Sequence, residues 1–173
     1  MPDLTTLFGP TERTITRSGE RRTVQVRRPY DATPGELWSA WTRPDRVVRW
    51  LGEVSGDRVV GGTVRLMMSP PDADIAELQI ETCEEPQRLV AAWSWPGEPD
   101  SRVELLLEPA GDSTMLTLTH SLVAEATAVD YGFGWEDFLN RLTEYLADRD
   151  PAIVSWTDAQ EHLKPLWQAA AGS

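Results

Sequence analysis

The chain has 173 residues, 40% of them apolar and 25% charged, enough for one globular domain and short for two. Its formal net charge of -12 repels phosphate, which argues against nucleic acid as the main partner and against a basic membrane-surface anchor. One cysteine, Cys83, and two histidines, His120 and His162, leave no internal disulfide and no Cys/His-rich metal centre, so no metal and no cofactor are expected.

The charge is uneven. Residues 1–70 carry 11 Arg against 8 acidic side chains, and residues 71–173 carry 5 basic against 20 acidic. The acidic half reads as a solvated surface, with a basic protein partner as the alternative. The opening MPDLTTLFGP lacks the charged and apolar regions of a signal peptide. No apolar run reaches the roughly 18 to 20 residues of a membrane-spanning helix, so a soluble, cytoplasmic protein is expected.

Residues 1–10 read as a loose tail. Two alternating, β-branched runs, 13–17 and 22–27, flank Ser18-Gly19 and predict a hairpin or one bent strand. Thr33-Pro34-Gly35-Glu36 is a capping box with proline at the first helical position, and the helix turns Leu37, Trp38 and Trp41 inward. Thr42-Arg43-Pro44-Asp45 repeats the start signal. Val47, Trp50 and Leu51 then form a stripe that Gly52 ends.

Strand periodicity follows. Val64, Leu66 and Met68 alternate after Gly61-Gly62, and so do Ala76, Leu78 and Ile80. Leu89, Ala91, Trp93 and Trp95 share a face, then Val103, Leu105 and Leu107, then Leu116, Leu118 and His120. Short polar turns without intervening helices predict an antiparallel meander whose apolar face needs a cover. The cover is an amphipathic helix carrying Tyr131, Trp135, Phe138, Leu139, Leu142, Tyr145 and Leu146 on one face. Gly132 and Gly134 near its start either weaken it or admit another backbone. Residues 11–150 thus read as one domain. Residues 151–173 read as an extension packing on that domain or at a dimer interface through Trp156, Leu163 and Trp167, with Pro165 interrupting its helical spacing.

The run Thr33–Thr42, with Pro44-Asp45 and Arg49-Trp50-Leu51, resembles a signature of the activator-of-Hsp90-ATPase-homologue-like branch of the START/Bet v 1-like (SRPBCC) superfamily. Gly61-Gly62, the stretch from Leu89 to Trp95, Thr117-Leu118-Thr119-His120 and Gly134-Trp135 are similar to that branch as well. The resemblance covers about residues 11–148. It implies an α+β helix-grip fold: a curved antiparallel β-sheet of about six to seven strands wrapped around a long C-terminal helix, with two short helices after the first strand. It also implies an apolar cavity between sheet and helix.

The inward positions that would line this cavity are Trp50, Leu66, Met68, Leu78, Trp93, Trp95, Leu105, Leu107, Leu118, Tyr131, Trp135 and Phe138, with His120 and the Tyr131 hydroxyl as polar candidates. A solidly packed aromatic core is the competing reading, and for His120 a hydrogen-bonded core histidine. No nucleophile–base–orienter set is legible. Gly61-Gly62 lacks the Lys-Ser/Thr and helix of a phosphate loop, and Gly132-Phe133-Gly134 is no dinucleotide fingerprint. Glu77, Glu81, Glu84 and Glu85 read as solvated. Cys83, beside two of them, reads as structural because carboxylates disfavour its thiolate.

Three functions stand at this point. The first is a non-catalytic protein holding a small hydrophobic or amphipathic ligand, and it is preferred because no catalytic set is visible. The second, implied by the resemblance, is a polyketide cyclase/dehydratase-like or hydrolase-like enzyme using His120 or Tyr131 on a carbonyl compound. The third is a cochaperone-like or stress-response domain that binds a protein. The eukaryotic Hsp90 activator pairs this domain with a separate N-terminal one, and the residues before position 11 are too few to supply it. A second copy of the chain remains the other candidate partner.

Overall fold

Gly19, at φ +62°, makes the turn that closes the first hairpin. Strands β1 (Glu12–Ser18) and β2 (Arg21–Tyr30) run antiparallel on either side of it, with Ile15 opposite Val24. The computed structural model describes residues 9–68 and 75–172, so positions 1–8 of the expected tail lie outside it.

Two short helices follow. In α1 (Pro34–Thr42) the Thr33 hydroxyl accepts a hydrogen bond from the Glu36 N–H at 3.1 Å, as the capping box requires. The Glu36 carboxylate leaves the box open and pairs with Arg46 at 2.7 Å. Helix α2 (Pro44–Val47) is shorter than the stripe implied. The chain leaves it in a turn at 48–51, where Trp50 Nε1 donates to the Ala40 carbonyl at 3.0 Å and ties the turn back to α1.

Six strands come next: β3 (Gly52–Gly56), β4 (Thr63–Met68), β5 (Ile75–Glu84), β6 (Arg88–Ser94), β7 (Ser101–Ala110) and β8 (Ser113–Ala124). They form an antiparallel meander, and β8 pairs with β2, giving the sheet order β1-β2-β8-β7-β6-β5-β4-β3. The sheet has eight strands rather than the expected six to seven: the first segment is the hairpin, which makes seven, and β3 is the eighth. Strand β3 is too short and polar to signal itself.

After a 3-10 turn at Glu125–Thr127, α3 (Ala128–Leu146) covers the apolar face of the sheet. Its opposite flank carries charge. The Glu136 carboxylate, almost fully buried, accepts from Arg13 Nε and Nη2 at 2.7 and 2.6 Å and from Trp167 Nε1 at 2.7 Å. Tyr30 on β2 donates to the Leu139 carbonyl at 2.8 Å, and Arg28 reaches Thr143 at 3.3 Å. A carboxylate out of water needs such donors, and removal of one partner of a buried pair costs about 3–5 kcal/mol.

Helix α4 (Trp156–Ala171) lies against α3 and β1 and is capped by the Ser155 hydroxyl, which accepts from the Asp158 N–H at 3.1 Å. Pro165 does not interrupt it. Both Pro165 and Glu161 are exposed, so the carbonyl that loses its donor is on the solvent side of the helix. Leu163 and Trp167 are buried. The close approach at Gly132 is made by the Trp167 indole rather than by a backbone, and a methyl group there would overlap that ring.

The two glycines of α3 therefore carry opposite expectations. Gly132→Ala should destabilise the protein by about 1–3 kcal/mol, because a fully buried indole has nowhere to go. Gly134→Ala, with only the Trp156 ring at 3.8 Å, should be neutral or stabilising by up to ~1 kcal/mol through helix propensity. Urea unfolding of both variants checks this, and equal effects would count against the indole slot.

Candidate ligand-binding site

Sheet and α3 do not fill the space between them. A cavity of about 660 Å³ opens between the β6–β7 loop, the early turns of α3 and the start of α4. A smaller one of about 270 Å³ lies under α1 and α2 against the sheet. The larger falls inside the roughly 300–1,000 Å³ range of small-molecule pockets.

The expected lining residues are divided between the two. Met68, Trp95, Tyr131 and Phe138 line the larger cavity. Leu66, Leu78, Leu105 and Leu118 line the smaller. Trp93 and Trp135 line both, with ring centroids 5.5 Å apart in an edge-on arrangement, and form the partition. Trp50, Leu107 and His120 line neither. Trp50 is spent on the Ala40 carbonyl, and Leu107 is buried in the core.

His120 is fully buried behind the partition. Its Nδ1 lies 3.1 Å from Trp135 Nε1, and its Nε2 lies 2.7 Å from the Ser101 hydroxyl. An indole N–H can only donate, so Nδ1 accepts, and the neutral ring carries its proton on Nε2 and donates to Ser101 Oγ. This is the reverse of a nucleophile–base pair: the nitrogen facing the serine has no lone pair to take its proton. Burial lowers the His120 pKa to about 3. Ser101 and His120 therefore form a satisfied polar contact inside the core, not an activated dyad.

The polar edge of the larger cavity is built elsewhere. Trp93 Nε1 donates to Tyr131 Oη at 3.1 Å, and the Tyr131 hydroxyl donates to Glu98 Oε2 at 2.5 Å. Burial, with the Glu98 carboxylate adding to it, raises the Tyr131 pKa, so the phenol stays protonated. Arg141 lines the wall with its Nε on Asp137 Oδ2 at 3.0 Å and its guanidinium 6.0 Å from the Phe138 ring. Asp137 has its pKa raised by burial, with Arg141 opposing that shift. Asp130 pairs with Lys164 at 3.5 Å. Trp156, 46% exposed, closes the side from α4 and packs on Phe133 at 5.3 Å.

Glu98, Thr127, Asp130, Gly134, Arg141 and Trp156 were not among the expected lining residues. Arg141 and Gly134 continue the helical stripe of Tyr131 and Phe138, so a reading that included polar positions on that face would have found them. The acidic series is peripheral: Glu77 pairs with Arg65 at 3.9 Å, Glu81 with Arg102 at 3.0 Å and Glu84 with Arg88 at 3.5 Å. Cys83 is exposed at the rim of the smaller cavity. Among the described residues no group of three or more His, Cys, Asp or Glu is placed to hold a metal ion, and no helix is long and apolar enough to cross a membrane.

The buried imidazole predicts a pH dependence. The unfolded histidine titrates near 6.5 and the folded one near 3, so between these values the unfolded chain binds one more proton. The contribution of this group is complete above 6.5 and falls as pH drops, by up to about 1.4 kcal/mol per unit. Urea unfolding should show wild type losing part of its advantage over His120→Asn as the pH is lowered through this window. A constant difference would show that the ring charges freely in the fold.

A family model described as activator of Hsp90 ATPase homolog 1-like protein matches residues 31–147. The crystal structure of CalU16 from Micromonospora echinospora is 36% identical, with a TM-score of 0.78 over 95% of this chain and 99% of that one. DynU16, from the dynemicin biosynthetic locus, is 28% identical with a TM-score of 0.68, over 75% of this chain and 49% of that one. The Aha1 dimer from Colwellia psychrerythraea is 21% identical with a TM-score of 0.63, over 72% of this chain and 95% of that one, a likeness of fold alone. No curated protein matches. The matched residues span α1 through α3, six of the eight strands and their helical cover, and the chain belongs to the activator of Hsp90 ATPase homolog 1-like family, with its α+β helix-grip fold.

Proposed function

We propose that the protein is a non-catalytic binding protein that holds a small, largely apolar ligand in the larger cavity. The observation that carries this reading is a space of about 660 Å³ walled by Trp93, Trp95, Tyr131, Trp135, Phe138 and Trp156. Burial of a ligand surface against aromatic walls of this kind supplies affinity without any chemistry. The placement of DynU16 in a biosynthetic locus fits a ligand that is itself a biosynthetic intermediate or product.

The enzymatic alternative loses His120, which donates to Ser101 from the core and titrates far below neutrality. It retains Tyr131, whose hydroxyl lines the cavity as a hydrogen-bond donor already committed to Glu98. A protein-interaction role would use the outer surface instead, and it is separable from ligand binding by the experiment below.

Gly134 lines the larger cavity, where an added Cβ would meet only the Trp156 ring, at 3.8 Å. Gly134→Leu should fill the cavity from within, keep the fold, and weaken a bound ligand by at least ~tenfold, or about 1.4 kcal/mol. Quenching of Trp emission by lipophilic probes and native mass spectrometry of the purified protein read this out. Failure of the wild type to take up any such probe would end the binding reading.

A further inference from the structure

The charges around the larger cavity are not balanced. Arg141 is engaged by Asp137 at 3.0 Å, and Asp130 by Lys164 at 3.5 Å. Glu98 is different. It lines the cavity from the β6–β7 loop, and the hydroxyl of Tyr131 donates to its Oε2. Among the described residues no ion pair includes it, and its other carboxylate oxygen has no hydrogen-bond partner there. The lining thus holds one carboxylate without a counter-charge, half-buried, next to Trp93, Trp95 and Tyr131.

Resting on the binding reading above, we propose that the cavity selects a ligand with an aromatic or polycyclic body and a protonated amine, and that the amine pairs with the Glu98 carboxylate. Indole and phenol rings attract a cation through their quadrupoles, and a half-buried carboxylate nearby adds a charge-assisted hydrogen bond. Tyr131 fixes Glu98 in place through its hydroxyl and is itself positioned by Trp93 Nε1. An anionic ligand of the same body meets Glu98 as a like charge. Arg141 is the one cation of the lining, and its charge is already paired with Asp137 through Nε at 3.0 Å, which leaves less net charge for an anion. The surplus of acidic residues in 71–173 raises the local concentration of cations in the same direction.

The test uses three probes with one fluorophore and different charge: dansylcadaverine, which is cationic, dansyl-aminohexanoate, which is anionic, and the neutral dansyl hexylamide. Energy transfer from the Trp residues reports binding to the full chain. The cationic probe should bind tightest, its preference over the neutral probe should shrink with added salt, and Glu98→Gln should weaken it about tenfold while leaving the neutral probe unchanged. Equal affinities for the three probes, or a preference that survives Glu98→Gln, overturn the proposal while Gly134→Leu still weakens binding of all three. If none of the probes binds the wild type, the cavity is not a binding site and both readings fall together.

Discussion

The hydrogen bond from Trp135 Nε1 to His120 Nδ1, 3.1 Å long, joins the middle of the covering helix to the strand beneath it. It fixes a large ring between the helix and the sheet. With Trp93 set edge-on against it, Trp135 divides the interior into a larger and a smaller hollow. The bond also decides the chemistry of His120. By donating to Nδ1, the indole leaves the proton on the nitrogen that faces Ser101, and a residue type that usually suggests catalysis becomes a piece of scaffolding. The division of the interior and the donor role of His120 thus meet in a single contact.

The two flanks of α3 do different work. One faces the sheet and presents aromatic rings to the interior. The other carries Glu136, Asp137 and Glu144 under cover, each held by arginine: Arg13, Arg141 and Arg149. Of these pairs only Arg13–Glu136 joins the helix to the sheet, from β1, and it pins one against the other. Asp137 and Arg141 both lie on α3 and Arg149 follows its C-terminus, so the other two pairs keep the helix's own buried carboxylates neutralised.

Most of the architecture is legible in the sequence. The capping box at Thr33, the period-2 strands and the apolar stripe of α3 each stated a local rule that packing obeyed. The departures have physical causes. Val47, Trp50 and Leu51 mimic a helical stripe, but Trp50 finds its partner in a turn. Pro165 reads as a break, but a proline on the wet side of a helix leaves only a carbonyl for water. The candidate site was partly legible. Alternation says which way Trp93 points, but not whether the space it faces is filled, since that depends on distances between elements. Glu98 and Trp156 come from a loop and from a separate helix, and no periodicity links them to the cavity. Alternation turns His120 inward, yet it lines neither cavity. That it stops behind a tryptophan is a matter of depth, and depth has no period.

The family pattern ends at residue 147, yet Trp156 completes the rim of the larger cavity. Its helix is held by an indole sunk in a notch that a single hydrogen atom keeps open at Gly132. The rim is therefore completed by a segment that follows the matched pattern, docked onto it like a fitted shutter. In this chain a change at Gly132 or Trp167 reaches the side wall of the cavity without touching the sheet or the partition.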